Sequence, residues 1–304
     1  MKILCIGQSK HDMIMNISDK MPANGKINVS DIVECSGGRA LNVSYMLGKY
    51  KHDSYLASVV GDDTFGQNIK KDLDAIGTHS EYVETAFGKR TTISMYINNK
   101  VDNTKINYNI SKEPLYMKKS EFQVEPDLIY LDGYDYGASQ PVLARYNNIP
   151  KVISASVYNK EILELCKYCN YMIISKEFAE SMTGITFDLT NPSNLVDIYS
   201  RVINKFPGKI IVISIAEQGA LYMVDNQIRV MPSLNLDKKD ATDSDIIFDG
   251  AFVYAILQKY DIEKAVTFAN IASGLSVLKV GVRNSIPELS EIMTYFNQKY
   301  PEGK

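Results

Sequence analysis

Short apolar runs alternate with longer segments of helical periodicity along most of the chain. Runs rich in β-branched residues predict buried strands at 2–6, 54–60, 128–131, 152–154, 171–174 and 210–215. Between them, apolar residues recur at helical spacing over 39–50, 64–76, 138–147, 191–205, 248–259 and 262–279. This alternation predicts an α/β fold of three layers, in which helices flank a mainly parallel central sheet.

Two segments depart from this alternation. Residues 13–34 and 90–110 are polar, have the character of β-strands, and contain the turn signals Asn24-Gly25, Asn98-Asn99 and Asp102-Asn103. We predict that they are two insertions that form a small β lid. Because the chain contains no internal repeat and no low-complexity linker, we predict a single domain over 1–304.

Composition and charge exclude several classes of partner. Of the 304 residues 45% are hydrophobic, and 33 Lys+Arg against 36 Asp+Glu give a net charge of −3 without a block of like charge. A nucleic-acid-binding face and a polybasic membrane patch are therefore not expected. The N-terminal apolar run is short and lacks a cleavage site, and no apolar run could span a bilayer, so we expect a cytoplasmic protein.

The cysteines and histidines do not predict a metal site. The four cysteines are too sparse for a disulfide scaffold, and we expect free thiols. Cys166 and Cys169 form a lone pair without further ligands at zinc spacing, so core packing is the expected role. The three histidines, His11, His52 and His79, also lack metal-like spacing.

A candidate binding site follows the first strand. Asp12 lies shortly after the carboxyl end of that strand, where open α/β sheets bind ligands, and its carboxylate could accept hydrogen bonds from a polyol. Gly37 and Gly38 precede a predicted helix, which allows close approach of a ligand, and Asn42 follows one turn later with both a donor and an acceptor. Between them, Arg39 could contact an anionic substrate or be solvated.

Taken in order, these motifs resemble the PfkB, or ribokinase-like, family of carbohydrate and nucleoside kinases. The resemblance covers essentially the whole chain and rests on 7–12, 37–42, the VGDDTFG segment at 60–66, the strand pair at 209–224, and 269–287. It implies a kinase that transfers the γ-phosphoryl group of ATP, with Mg²⁺, to a sugar hydroxymethyl. It also implies a β lid and, often, a homodimer joined through the lids. Asp12, Gly37, Gly38 and Asn42 would then bind the sugar or nucleoside.

The second signature of the family is altered. Its Gly-Ala-Gly-Asp stretch provides an anion hole and a catalytic base, but the best match of the following helix places Asp243-Ser244-Asp245 at the glycines and Ile246 at the base. An alternative register retains Asp243 and Asp249 at the family spacing, but fills the anion hole with apolar residues. The candidate catalytic residues are therefore Asp249 and Asp245.

The nucleotide side of the resemblance is mixed. Asn270 matches a position that lines the adenine pocket, and Gly219 and Ser244 also fall at nucleotide-binding positions. The Asn-x-x-Glu motif, which helps organise magnesium and phosphates, instead reads Ser175 to Phe178, with Phe178 in place of the Glu.

Two hypotheses follow. In the first, the chain is a pseudokinase, a sensor or scaffold that binds a sugar or nucleoside and has lost most or all phosphotransferase activity. In the second, it is an active ATP-dependent sugar kinase in which Asp249 or Asp245 serves as the base. The loss of both base and anion hole favours the first.

Overall fold

Strands and helices alternate in the computed structural model, which describes residues 1–17, 24–29, 31–99, 103–109, 123–215, 218–234, 236–237, 239 and 243–301. The strands are β1 Lys2–Ile6, β2 Lys10–Asn16, β3 Ile32–Gly37, β4 Asp53–Gly61, β5 Val83–Ala86, β6 Ile93–Asn98, β7 Asn103–Tyr108, β8 Leu128–Leu131, β9 Lys151–Ala155, β10 Tyr171–Ser175, β11 Ile210–Ser214, β12 Ala220–Val224 and β13 Gln227–Met231. The helices are α1 Arg39–Lys49, α2 Thr64–Ala75, α3 Tyr136–Arg145, α4 Lys160–Tyr168, α5 Lys176–Thr183, α6 Pro192–Lys205, α7 Ser244–Leu257, α8 Ile262–Ser276, α9 Val282–Ser285 and α10 Leu289–Lys299.

The central sheet has nine strands in the order β13-β12-β11-β10-β9-β8-β1-β4-β5. From β5 to β11 all neighbours are parallel, and only the β11–β12–β13 meander at one edge is antiparallel. The order reverses beside β1, so the carboxyl ends of β1 and β8 border the crevice in which such sheets bind ligands.

Two apolar cores cover the faces of this sheet. Because side chains alternate along a strand, Ile3 and Cys5 of β1 pack with α1, α7, α8 and α10, whereas Leu4 and Ile6 pack with α3 to α6. The predicted three-layer α/β class with a mainly parallel sheet is thus confirmed.

A second sheet of four strands has the order β3-β2-β6-β7. It is built from the two segments predicted to form a lid, although β2 begins at Lys10 and β3 ends at Gly37, several residues outside the predicted bounds. As a result Asp12 lies within a strand, opposite Cys35 and Ser94, and not in a loop after β1. That this sheet closes over a site stays a prediction.

Helix α7 begins four residues earlier than its apolar pattern predicted. Its first turn, Ser244 to Ile247, contains one acidic and one hydroxyl residue, so the pattern became visible only from Phe248. In the part of the chain that is described, no helix has the length and apolar character needed to cross a membrane.

Candidate functional site

The turn between β3 and α1 lies against the start of β2. Gly37 has no room for a side chain, because a Cβ atom there would overlap the carboxylate of Asp12. Gly38 caps α1 with a φ of 106°, in the left-handed region that favours glycine, and a Cβ there would meet the carbonyl of Gln8. The two glycines therefore bring α1 and β2 close enough to share one crevice.

Buried polar atoms without a hydrogen-bond partner collect around this turn. They are Oδ2 of Asp12, the amide oxygen and nitrogen of Asn42, and the hydroxyl of Ser9, whereas Oδ1 of Asp12 has an ion-pair partner. Asp12 and Asn42 are each 1% exposed. Leaving a buried polar group without a partner costs about 1–3 kcal/mol, so a cluster of such groups indicates a place that a hydroxylated ligand would satisfy.

Lys10 connects Asp12 to the second sheet. Its ammonium forms an ion pair with Asp12 Oδ1 at 2.9 Å and donates to the hydroxyl of Tyr96 at 2.6 Å. The Tyr96 hydroxyl in turn donates to Asp243 at 3.0 Å. This hydrogen-bonded chain joins β2 and β6 to the residue that caps α7.

Burial and neighbouring charges shift the pKa values of Asp12 and Lys10. Burial raises the pKa of Asp12, and the charge of Lys10 offsets only part of that effect. Burial lowers the pKa of Lys10, but the carboxylates of Asp12 and Asp243 outweigh it, so the pKa ends above its ordinary value. Lys10 is therefore a cation at neutral pH, and Asp12 is its counter-ion.

A different polar cluster occupies the start of α7. Asp249 is 1% exposed and accepts hydrogen bonds from Arg39 Nη1 at 2.6 Å and from the Tyr130 hydroxyl at 2.9 Å. Arg39 also donates to Ser154 at 3.2 Å and forms an ion pair with Asp245 through Nη2. The guanidinium of Arg39, whose side chain is 19% exposed, thus binds both candidate catalytic carboxylates.

Arg39 acts on the two carboxyl groups with different results. Burial raises the pKa of Asp249, and Arg39 opposes this without cancelling it. At Asp245 burial also favours the neutral form, but the charge of Arg39 outweighs it and holds the pKa below its usual range. Burial, followed by the charge of Asp249, raises the pKa of Tyr130, which is therefore a hydrogen-bond donor at neutral pH.

The residue at the family base position is part of the core. Ile246 is buried and packs in the cluster that covers α7 and α8. Asp243 precedes the helix in the left-handed conformation, with a φ of 57°. A non-glycine residue is uncommon there, and a glycine would be free of strain, as expected if Asp243 replaces the first glycine of the family signature. Residues 240–242 lie outside the described part of the chain.

The residues predicted to contact a nucleotide lie in two places. Asn270 donates to the carbonyl of Pro232 at 2.7 Å, and Gly219 packs on the carbonyl of Met231, so both border the end of β13. Ser244 is at the first turn of α7. Phe178 is fully buried in the opposite core.

Four site residues were missed by the sequence analysis: Lys10, Tyr96, Tyr130 and Asp132. Asp132 follows β8, and its carboxylate accepts the backbone N–H groups of Gln8 at 2.9 Å and Ala40 at 3.2 Å, which fixes α1 beside β1. Its place after a buried strand is the same signal that identified Asp12. The other three lie within strands, where their polar atoms carry no sequence signal.

Comparison with known proteins agrees with this architecture. A family model described as pfkB family carbohydrate kinase matches residues 1–289. A ribokinase of Bacillus subtilis is 23% identical, covering 96% of this chain and 98% of its own, and a deoxyribokinase of Salmonella typhi is 22% identical, covering 98% and 99%.

Solved structures show the same fold. Arabidopsis thaliana ribokinase, solved with ribose and ATP, has a TM-score of 0.81 at 16% identity and covers 97% of this chain and 98% of its own. A Burkholderia thailandensis nucleoside kinase in complex with inosine has a TM-score of 0.78 at 17% identity, with 98% and 97% covered.

Proposed function

Because the chain belongs to the pfkB family of carbohydrate kinases, we propose that it binds a sugar or nucleoside and has lost, or nearly lost, phosphotransferase activity. The observation that carries this proposal is a contrast within one cleft. Oδ2 of Asp12 and the side-chain amide of Asn42 lack protein partners, whereas the carboxylates of Asp245 and Asp249 are both bound by Arg39. Asp12 and Asn42 thus retain polar atoms that could bind a ligand, whereas the two candidate catalytic carboxylates are already ion-paired with Arg39.

The first argument concerns proton transfer. A kinase of this type needs a group that accepts the proton of the attacking hydroxyl, and the apolar side chain of Ile246 cannot do so. Asp249 is 1% exposed, and its Oδ2 already accepts hydrogen bonds from Arg39 and Tyr130, so this oxygen is occupied by protein donors. Removal of a general base typically lowers the rate by about 10²–10⁴.

The second argument concerns the triphosphate. An anion hole exposes backbone N–H groups at a helix N-terminus, but here Asp243 and Asp245 flank the start of α7. Unit charges about 4 Å apart interact by roughly 4 kcal/mol at an effective dielectric near 20, so the carboxylates oppose a phosphate placed there. Asp243 and Asp245 therefore do not fit the phosphates of ATP at the start of α7.

The alternative is an active ATP-dependent sugar kinase with Asp245 or Asp249 as the base. Asp245 is the more accessible of the two, since its side chain is 42% exposed. In that case turnover would be lost in Asp245→Asn or in Asp249→Asn. Loss only in Asp249→Asn would support the register that keeps Asp243 and Asp249 at the family spacing.

We further propose that the second sheet pairs with a second copy of the chain. One face of β2 and β6 carries Asp12 and Tyr96, and the other face is apolar beyond His11 and Ile93, where Met13 lies opposite Met95 and Met15 opposite Ile97. That apolar face borders a cavity of about 240 Å³ lined by Met15, Ile17, Gly25, Ile27, Val29, Met95 and Ile97. Pairing would cover this face, and multi-angle light scattering should then give twice the mass of one chain. A monomer at micromolar concentration would contradict this.

The function is tested by separating binding from turnover. A library of sugars and nucleosides should contain compounds that raise the melting temperature in the absence of ATP, because binding to the native state alone stabilises it. With ATP, Mg²⁺ and the same compounds, turnover should be at least about 10⁴-fold below the usual kinase range of about 1–100 s⁻¹.

The control variant is Asp12→Asn, which removes the acceptor charge with little change of shape and should abolish the thermal shift. A library without any hit would contradict the binding role. A turnover in the usual kinase range would establish the alternative.

A further inference from the structure

A hydrogen bond joins the second sheet to the start of α7. Tyr96 lies on β6 and is 5% exposed, and its hydroxyl donates to Asp243 Oδ2 at 3.0 Å, across 147 residues of sequence. The same sheet is also attached to α2, where the Ser36 hydroxyl donates to Asp72 at 2.6 Å. The bond to Asp243 therefore connects the sheet to a different helix, and the proposed function makes no use of it.

The side chain of Asp243 serves this sheet and not its own helix. An aspartate before a helix usually caps it by accepting a hydrogen bond from an N–H of the first turn. Asp63 does so at α2, in an extended conformation and with the Gly66 N–H as donor at 2.9 Å. Asp243 instead precedes α7 in the left-handed conformation, and among the described first-turn groups no N–H donates to its side chain. Its carboxylate is thus directed to Tyr96.

Two cations of the second sheet add to this attraction. The ammonium groups of Lys10 and Lys105 lie 5.0 and 4.9 Å from the centre of the Tyr96 ring. Burial lowers the pKa of Lys10, and the charges of Asp12 and Asp243 more than reverse that effect. Burial and the charge of Lys10 lower the pKa of Lys105, which Asp243 partly opposes. Asp243 therefore attracts charged groups of the sheet as well as the Tyr96 hydroxyl.

The Tyr96–Asp243 bond crosses the boundary at which a ligand would bind. Asp12 belongs to β2 of the second sheet and Asn42 belongs to α1, so a ligand that binds both lies between this sheet and the rest of the protein. Each of the two residues is 1% exposed. A sugar can therefore reach them only when the second sheet moves away from the helices, and that movement breaks the bond to Asp243.

We propose that Asp243 holds the second sheet closed against α7 and thereby sets the rate at which a ligand enters and leaves. A hydrogen bond to a charged group is equivalent to a factor of about 10–100 in an equilibrium, so its loss should raise the population of the open form by about that factor. The effect on ligand exchange rests on the proposed function, whereas closure itself is measurable without any ligand.

Cys35 reports the opening of the sheet. It lies opposite Asp12 in β3, and therefore on the same face of the sheet. Burial, followed by the charge of Asp12, raises the pKa of its thiol to about 11. Because the thiolate is the reactive form, movement of the sheet away from the helices should lower this pKa and speed alkylation by iodoacetamide. Mass spectrometry of peptides measures the rate, with the fully buried Cys5, Cys166 and Cys169 as slow references.

Two variants remove the bond from its two ends. Tyr96→Phe deletes the hydroxyl and keeps the ring, and Asp243→Gly deletes the carboxylate while suiting the left-handed conformation, so α7 is not strained. Each should speed alkylation of Cys35 about 10- to 100-fold. The matched control is Tyr108→Phe, which makes the same change at a tyrosine of β7 that is 50% exposed, and it should react as the wild type does.

Ligand exchange is measured with inosine by surface plasmon resonance. Because the bond forms whenever the sheet is closed, whether or not inosine is bound, its loss in Tyr96→Phe should raise the association and dissociation rates by the same factor. The dissociation constant should then stay within about twofold of the wild-type value. A tyrosine that contacted inosine directly would instead change the dissociation constant.

The outcomes separate closure from ligand binding. If Cys35 is alkylated at the wild-type rate in both Tyr96→Phe and Asp243→Gly, Asp243 does not hold the sheet closed and the proposal is wrong. A weaker dissociation constant for inosine with unchanged alkylation would make Tyr96 a ligand contact and would also overturn it. If the wild type does not bind inosine while both variants speed alkylation, closure by Asp243 is supported and the choice of inosine as ligand is wrong.

Discussion

At the turn of Gly37 and Gly38, buried polar atoms lack protein partners, whereas at the start of α7 the buried carboxylate of Asp249 has two. Both regions border the same crevice and both contain aspartates that the family resemblance assigns to function. In the first region, buried polar atoms without hydrogen bonds cost free energy, which a bound ligand would recover. In the second region, other residues of the chain already bind the carboxylates.

This difference shows how a lost activity can be recognised from hydrogen bonding. A catalytic carboxylate must leave an oxygen available for a substrate, whereas Oδ2 of Asp249 already accepts hydrogen bonds from Arg39 and Tyr130. Arg39 belongs to the first region in sequence, because it follows Gly38 within the glycine motif, yet its guanidinium binds the carboxylates of the second. One side chain thus binds both of the carboxylates that would be the remaining candidates for the base.

The largest effect is expected from restoring the glycine signature of the family at the start of α7. Replacement of Asp243-Ser244-Asp245-Ile246 by Gly-Ala-Gly-Asp removes the two carboxylates at the glycine positions, restores glycine at a left-handed position and supplies one carboxylate as a base. We expect measurable ATP binding and a rise in turnover of at least about 10²-fold above the wild type, as typical for a restored general base. Calorimetry with ATP and a coupled assay measure both. Unchanged ATP binding would show that the carboxylates do not keep the triphosphate out.

Asp249→Ala tests whether the ion pair is structural. Breaking a buried pair leaves Arg39 with only its partly exposed partner, and we expect a loss of about 3–5 kcal/mol in the free energy of unfolding. Urea denaturation measures it, and binding of a sugar identified by thermal shift should keep its affinity. Unchanged stability would remove the structural role and return Asp249 to the candidates for the base.

Gly37→Ala tests the candidate ligand site around Asp12 and Asn42. A Cβ atom would displace the Asp12 carboxylate, and we expect sugar affinity to fall about 10²-fold, equivalent to the loss of one or two hydrogen bonds to a charged group. Calorimetry measures the change. Gly137→Ala in α3 is the control, because the nearest atom to its Cβ lies at an ordinary contact distance of 3.5 Å, and it should bind as the wild type does.

The layers of the fold could be predicted from the sequence because each buried strand and each amphipathic helix carries its own periodicity. The first residues of β2 could not, since Lys10, His11 and Asp12 read as a polar loop and become a strand only by pairing with β3 and β6. The early start of α7 was hidden in the same way, because the helix begins with the polar pair Ser244 and Asp245.

The candidate site was only partly predictable. Gly37, Gly38 and Asn42 are close in sequence, so a local motif reveals them. The pairing of Arg39 with Asp245 and Asp249 spans 206 and 210 residues and depends on the packing of α1 against α7, which no local pattern encodes. The contacts that distinguish a paired carboxylate from an available one are therefore visible only in three dimensions.

Asp245→Asn gives the smallest effect and separates the two ion pairs of Arg39. The Asp245 side chain is 42% exposed, so solvent screens the pair, and at neutral pH we expect a loss of less than about 1 kcal/mol in the free energy of unfolding. Because Arg39 holds the pKa of Asp245 below the unfolded value of about 3.9, its stabilisation is present above that pH and is lost as the pH falls through the folded pKa. The difference between variant and wild type in urea denaturation should accordingly narrow below about pH 4. The prediction is wrong if Asp245→Asn lowers the free energy of unfolding as much as Asp249→Ala does, or if its effect persists in acid. Either result would show that Asp245 stabilises the structure as strongly as Asp249 does.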